Sequence, residues 1–126
     1  MQTLSAISVR KAPPHPTPVE IWQQLLTYLL ERHYGLSLHD TQFGDGNVIQ
    51  QHIATGTSLA DALNSLVEKS ELVRIDRPGF SFHLQSAFIG AIDILRARRA
   101  TGLMQRFEYK RITHIITGNA AQESYS

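Results

Sequence analysis

The sequence predicts an α+β domain, mostly helical, with about four to five helices and one β-hairpin. Three observations carry that reading. Apolar residues recur at helical spacing in several stretches that end at glycine. Between residues 72 and 85 the period drops to two around a Pro-Gly pair. A chain of 126 residues without cysteine is long enough to bury one core unaided by disulfides. The expected division is a flexible arm over 1–17, a single domain over 18–117 and a disordered tail over 118–126.

Pro13, Pro14 and Pro16 forbid a helix in the arm. The arm carries Arg10 and Lys11 and no continuous apolar run, so no secretory signal is expected. The first helix, 18–34, opens with a capping box from Thr17 to Glu20, places Pro18 at N1 and stops at Gly35. Trp22, Leu25, Leu26, Leu29 and Leu30 form its apolar stripe and are expected in the core. Glu20, Gln23, Gln24, Glu31 and Arg32 exclude it as a membrane span. A polar connection with a Gly44-Asp45-Gly46 turn leads to a second helix, 47–55. There Asn47 and Gln50 are read as the cap, and Val48, Ile49, His52 and Ile53 as the buried face. A third helix, about 58–70, is capped by Ser58 or Thr57 and buries Leu59, Ala62, Leu63, Leu66 and Val67.

Val73 and Ile75 then alternate with Leu72, Arg74 and Asp76, and Phe80, Phe82 and Leu84 with Ser81, His83 and Gln85. Arg77-Pro78-Gly79-Phe80 supplies a type II turn between them, which makes the hairpin. A fourth helix follows Ser86, with Phe88, Ile89, Ile92 and Leu95 inward and Gly102 as its cap. In 105–117, Ile112, Ile115 and Ile116 favour a helix over the strand that Phe107, Tyr109 and Arg111 would suit.

The net charge of +1 hides an asymmetry: residues 19–76 hold three bases and eight acids, residues 77–126 seven bases and three acids. Such a basic half suits an acidic protein surface or a phosphate backbone, and equally an ordinary solvated face. The absence of cysteine excludes thiolate metal sites and cysteine nucleophiles, and fits a cytoplasmic setting. His15, His33, His39, His52, His83 and His114 show no i, i+4 pair and no HExxH, and no GxSxG, GxGxxG or Walker lysine occurs. No catalytic residue, metal or cofactor is therefore expected. Three helices before a hairpin suggest a winged helix, but its reading helix would carry Asp61 and Glu68 and no arginine, which disfavours DNA.

The basic cluster is the remaining candidate. Arg74, Arg77, Arg96, Arg98, Arg99, Arg106, Lys110 and Arg111 interleave with Phe80, Phe82, Phe107 and Tyr109. This pattern can stack RNA bases, grip an acidic protein, or amount to core phenylalanines among solvated arginines. Arg96, Arg98 and Arg99 cannot all be buried unpaired, and Arg98 and Arg99 together are expected to tolerate glutamate.

The strings PTPVEIWQQLLTYLLERHYGLSLHDTQF, VIQQHIATGTSLADALNSLVEKSELVRIDRPGF and IDILRARRATGLM resemble the cytoskeleton-binding toxin family (CbtA, also called YeeV, with its YkfI and YpjF relatives). The likeness runs from Met1 to about Gly118. It implies a bacterial type IV toxin that binds the tubulin-like protein FtsZ and the actin-like protein MreB and blocks their polymerisation. It also implies a functional antitoxin of the CbeA (YeeU) type that makes no direct contact with the toxin. The chain departs from the family at Ser65, where an aromatic is usual, and at His15, where an arginine is usual. The expected partner-binding residues are Arg74, Arg77, Phe80, Arg96, Arg98, Arg99 and Ser65. The competing expectation is an RNA-directed toxin, a ribonuclease or RNA-binding module, using the same basic surface.

Overall fold

Helix α1, Pro18–Tyr34, starts because three local devices agree. Thr17 Oγ1 accepts from the Glu20 amide at 3.1 Å, Glu20 Oε1 accepts from the Thr17 amide at 2.9 Å, and Pro18 has no amide to leave orphaned. It ends at Gly35, whose φ of 70° lets its amide return to the Leu30 carbonyl. The computed structural model describes residues 16–76, 87–106 and 108–118. Two short 3-10 turns follow, Leu38–Asp40 and Gln42–Gly44. Then come α2 (Gly46–Thr55), α3 (Leu59–Lys69), α4 (Ala91–Thr101) and α5 (Tyr109–Ile116).

Helix α1 is the axis of the domain. Ile21, Trp22, Leu25, Leu26, Leu29 and Leu30 are all fully buried, and α1 packs against α2, α4, α5 and the first 3-10 turn. A stripe of that width, two residues per turn, needs neighbours on more than one side. Trp22 stacks on His52 of α2 with centroids 6.0 Å apart and planes 8° apart, and its indole N–H donates to the Ile115 carbonyl of α5. Burial in this contact lowers the pKa of His52. Gly118, just past α5, approaches the α2–α3 junction so closely that a Cβ there would collide with the Gly56 carbonyl oxygen. With φ at +88° this position also requires the left-handed backbone that glycine alone adopts readily.

Several sequence expectations shift. Helix α2 is capped by Asp45, whose Oδ1 accepts from the Asn47 amide at 2.9 Å, rather than by Asn47 with Gln50. The side chain two residues earlier, at the N-cap, reaches the free amide better than a residue already inside the helix. Helix α3 is capped by Ser58, one of the two residues named for that role. Helix α4 begins later and is rotated: Ile89 is buried and Leu95 half-buried, but Phe88 and Ile92 are exposed, while Asp93, Ala97 and Arg98 face inward. The apolar count favoured the wrong face because two hydrogen-bonded charged residues occupy the inner one.

The β-hairpin is not supported. Among the described residues there is no strand, and 72–76 runs as irregular chain. Its Ile75 amide donates to the His33 carbonyl at 2.8 Å, at the end of α1, and not to a second strand. The alternation also has the opposite sense: Val73 and Ile75 are exposed and Arg74 points inward. The turn at Arg77-Pro78-Gly79-Phe80 and the second arm lie outside the described residues, as do the arm before Pro16 and the tail after Gly118. No helix among the described residues is long and apolar enough to cross a membrane.

Candidate partner-binding surface

The expected surface divides into an inner pair and an outer pair of arginines. Arg74 has a side chain 4% exposed and sits between two carboxylates. Its Nε and Nη2 donate to Asp76 at 3.0 and 2.9 Å, and its Nη1 and Nη2 donate to Asp93 at 3.0 and 3.1 Å. The remaining N–H of Nη1 goes to the Phe88 carbonyl at 3.2 Å. All five guanidinium donors are thereby used, as two forks and one backbone bond. Hydrogen bonding to Asp76 first, then to Asp93, raises the Arg74 pKa above its ordinary value. The same forks hold Asp76 well below the usual carboxylate range, helped by His33 Nδ1 at 2.6 Å. For Asp93, burial alone would raise the carboxyl, but Arg74 and the Gly90 amide outweigh it and its pKa is lowered. Four residues from α1, the 72–76 segment and α4 are thus tied at one point.

Arg98 is the second inner arginine, 3% exposed. Its Nε donates to the Leu103 carbonyl at 3.1 Å, Nη1 to Thr113 Oγ1 at 2.8 Å and Nη2 to the Tyr109 carbonyl at 3.1 Å. Its guanidinium carbon lies 4.0 Å from the Tyr109 ring centroid. No carboxylate among the described residues pairs with it, and burial lowers its pKa. It stitches α4 to Leu103 and to α5. The expectation that Arg98 tolerates glutamate with Arg99 is corrected here: a carboxylate at 98 would face three acceptors.

Arg96 and Arg99 are exposed on α4, and Ser65 is exposed on α3. Arg77 and Phe80 lie outside the described residues, as does His15. Beside Ser65, Asn64 holds the Ile89 backbone from both sides, its amide donating to Ile89 O at 3.1 Å and its oxygen accepting from Ile89 N at 2.7 Å. Sequence reasoning missed Asn64, Asp76, Asp93 and His33 as partners. The signals available were Arg-x-Asp at 74–76 and an aspartate three residues after Gly90, the N3 position of a capping box.

The outer side of α4 leaves an apolar groove of about 530 Å³ toward α5 and the start of α3. Ala91, Ile92, Leu95, Tyr109 and Ile116 line it, with Arg98 among them.

The family model for the CbtA toxin of type IV toxin–antitoxin systems matches residues 20–95. The chain is 56% identical over 118 residues to the cytoskeleton-binding toxin CbtA of Escherichia coli K12, covering 94% of this chain and 95% of that one. It is also 56% identical, over the same shares of both chains, to toxin CbtA of Escherichia coli O6:H1. No solved structure matches the chain. A likeness that spans α1 to the middle of α4 in the family model, and nearly the whole chain in both relatives, places this protein in the CbtA toxin family of type IV toxin–antitoxin systems.

Proposed function

We propose that the chain is a non-catalytic toxin that binds cytoskeletal filament proteins stoichiometrically, FtsZ and MreB in particular, and inhibits their polymerisation. The observation that carries this reading is the extent of the likeness to a relative named for binding the cytoskeleton, 56% over 94% of this chain. The arrangement of polar groups supports it. The strongly perturbed pair, Arg74 and Asp76, spends its hydrogen bonds on the protein's own frame. An antitoxin of the CbeA type then acts on the filaments, without contact to this chain.

Sedimentation of purified FtsZ and MreB with increasing amounts of the protein tests the reading. Pelleted polymer is expected to fall with the toxin-to-target ratio and to be independent of incubation time. Loss of polymer at strongly substoichiometric toxin, or cleavage of RNA by the purified protein, would replace binding with catalysis.

The exposed arginines give a second expected outcome. Arg96→Glu with Arg99→Glu should change stability by no more than about 1 kcal/mol, since both side chains are solvated and lose little beyond a helix-end charge effect. The same pair should slow association with an acidic filament protein, and wild-type binding should weaken toward about 0.15 M salt, where the Debye length is about 8 Å. Arg98→Ala, by contrast, should cost about 2–4 kcal/mol in urea unfolding, because three acceptors lose a charged donor in a buried place. Equal melting of the Arg98 variant and the wild type would remove the structural role assigned to it.

A further inference from the structure

The groove beside α4 combines two features, apolar walls and a buried cation. Its walls are apolar, with Ile92 59% exposed at the mouth and Leu95 and Ile116 deeper. Its lining also includes a guanidinium without a counter-charge among the described residues. Arg98 uses three of its five N–H donors on neutral acceptors, and no carboxylate among the described residues pairs with it. A buried cation is ordinarily paired, because removing it from water is costly. The surroundings add to the imbalance. Residues 87–118 contain six bases and two acids. Both acids are already committed, Asp93 to Arg74 and Glu108 to Arg111.

We propose that this groove seats an apolar, acid-bearing segment of the partner protein, with its aliphatic side chains against Ile92, Leu95 and Ile116 and its carboxylate paired to Arg98. The proposal rests on the filament-binding reading for the identity of the partner. Its chemistry comes from the groove itself. Apolar contact supplies the area, and Arg98, which lines the groove with two N–H groups that no described residue accepts, would fix the position of the acid in surroundings of low dielectric. A cationic or purely apolar segment of the same shape leaves the guanidinium uncompensated, so the groove selects by charge as well as by fit.

NMR of the methyl groups of the 126-residue chain tests this, with decanoate and decylammonium as probes of the groove and purified FtsZ and MreB as partners. Decanoate should shift Ile92, Leu95 and Ile116 and bind at least about tenfold more tightly than decylammonium, and the filament protein should displace it. Ile92→Glu lies at an exposed position and should keep the melting temperature. It should weaken both decanoate and filament-protein binding by about tenfold. Equal binding of the two probes overturns the assignment of charge. Filament binding by Ile92→Glu as tight as by the wild type, or decanoate that a bound filament protein leaves in place, overturns the occupant. Movement of the same methyls on removal of residues 119–126 assigns the groove to the chain's own tail and also overturns it. Failure of the unmodified chain to bind either filament protein removes the filament reading, and the named occupant with it. That failure shows in the wild type, whereas failure of the groove alone shows as an Ile92→Glu variant that binds normally.

Discussion

Arg74→Met is expected to destabilise the domain by about 3–5 kcal/mol, enough to unfold a marginal protein at physiological temperature. The variant removes one cation, and with it the donor to the Phe88 carbonyl, and leaves Asp76 and Asp93 facing each other across the space it filled. The loss therefore exceeds the net worth of the ion pairs, because two carboxylates remain in place with only His33 and the Gly90 amide beside them. Arg74→Lys should recover part of the loss, since it keeps the charge but not the two forks. Urea unfolding followed by circular dichroism measures both. A pH series adds an independent check. Both carboxyls titrate below their ordinary value when folded and near about 3.9 when unfolded, so the stabilisation is complete above the unfolded pKa. It should drain away as the pH falls from about 5 toward about 2, and the Arg74→Met variant should lack most of that dependence. A variant within about 0.5 kcal/mol of wild type would show that the cluster does not hold the 72–76 segment to α1 and α4.

Trp22→Ala should cost about 3–5 kcal/mol through a large cavity beside the axis of the domain. Trp22 is fully buried, stacks on His52 and donates to the Ile115 carbonyl at 3.2 Å. That carbonyl is one of the last four of α5, which have no acceptor role inside the helix, so the indole serves as its cap. Trp22→Phe separates the two contributions. It keeps most of the packing and should cost about 1–3 kcal/mol for the bond left unmade. If Trp22→Ala kept the wild-type melting temperature while losing binding to the filament proteins, Trp22 would be an anchor for the partner and not a core residue.

The difference between these two residues marks how far the fold was legible in the sequence. Trp22 lies on a stripe whose period of 3.6 is unbroken, its helix has a capping box and a terminal glycine, and every local signal agrees. Ser58 and Gly102 were legible for the same reason. Arg74 and Arg98 were not, because hydropathy assigns a guanidinium to the outside unless its partners are known. Apart from Asp76, two residues on, the partners that bury them lie on other elements: Asp93 is 19 residues from Arg74, and Thr113 is 15 from Arg98. The same blindness misplaced the inner face of α4, where Phe88 and Ile92 were counted inward and Asp93 was not. It also made Val73 and Ile75 read as one face of a hairpin. Of the candidate surface, Arg96, Arg99 and Ser65 are where a sequence reading puts them, on the outside. The groove was illegible, since it depends on which side of α4 turns away from α1.

The bond from Trp22 to Ile115 joins residues 93 apart in sequence. Together with the Arg111 guanidinium donating to the Pro16 carbonyl at 2.9 Å, it closes the first helix against the last. A ribosome adding about 5–20 residues per second needs roughly 5–20 s to travel from Trp22 to its acceptor. Throughout that interval the apolar face of α1, with six fully buried side chains in the finished fold, has been made but has no α5 to cover it. The nascent protein is thus at its most aggregation-prone before α5 has emerged. Premature termination anywhere before α5 yields a product that lacks the closing element and has its central helix open to proteolysis.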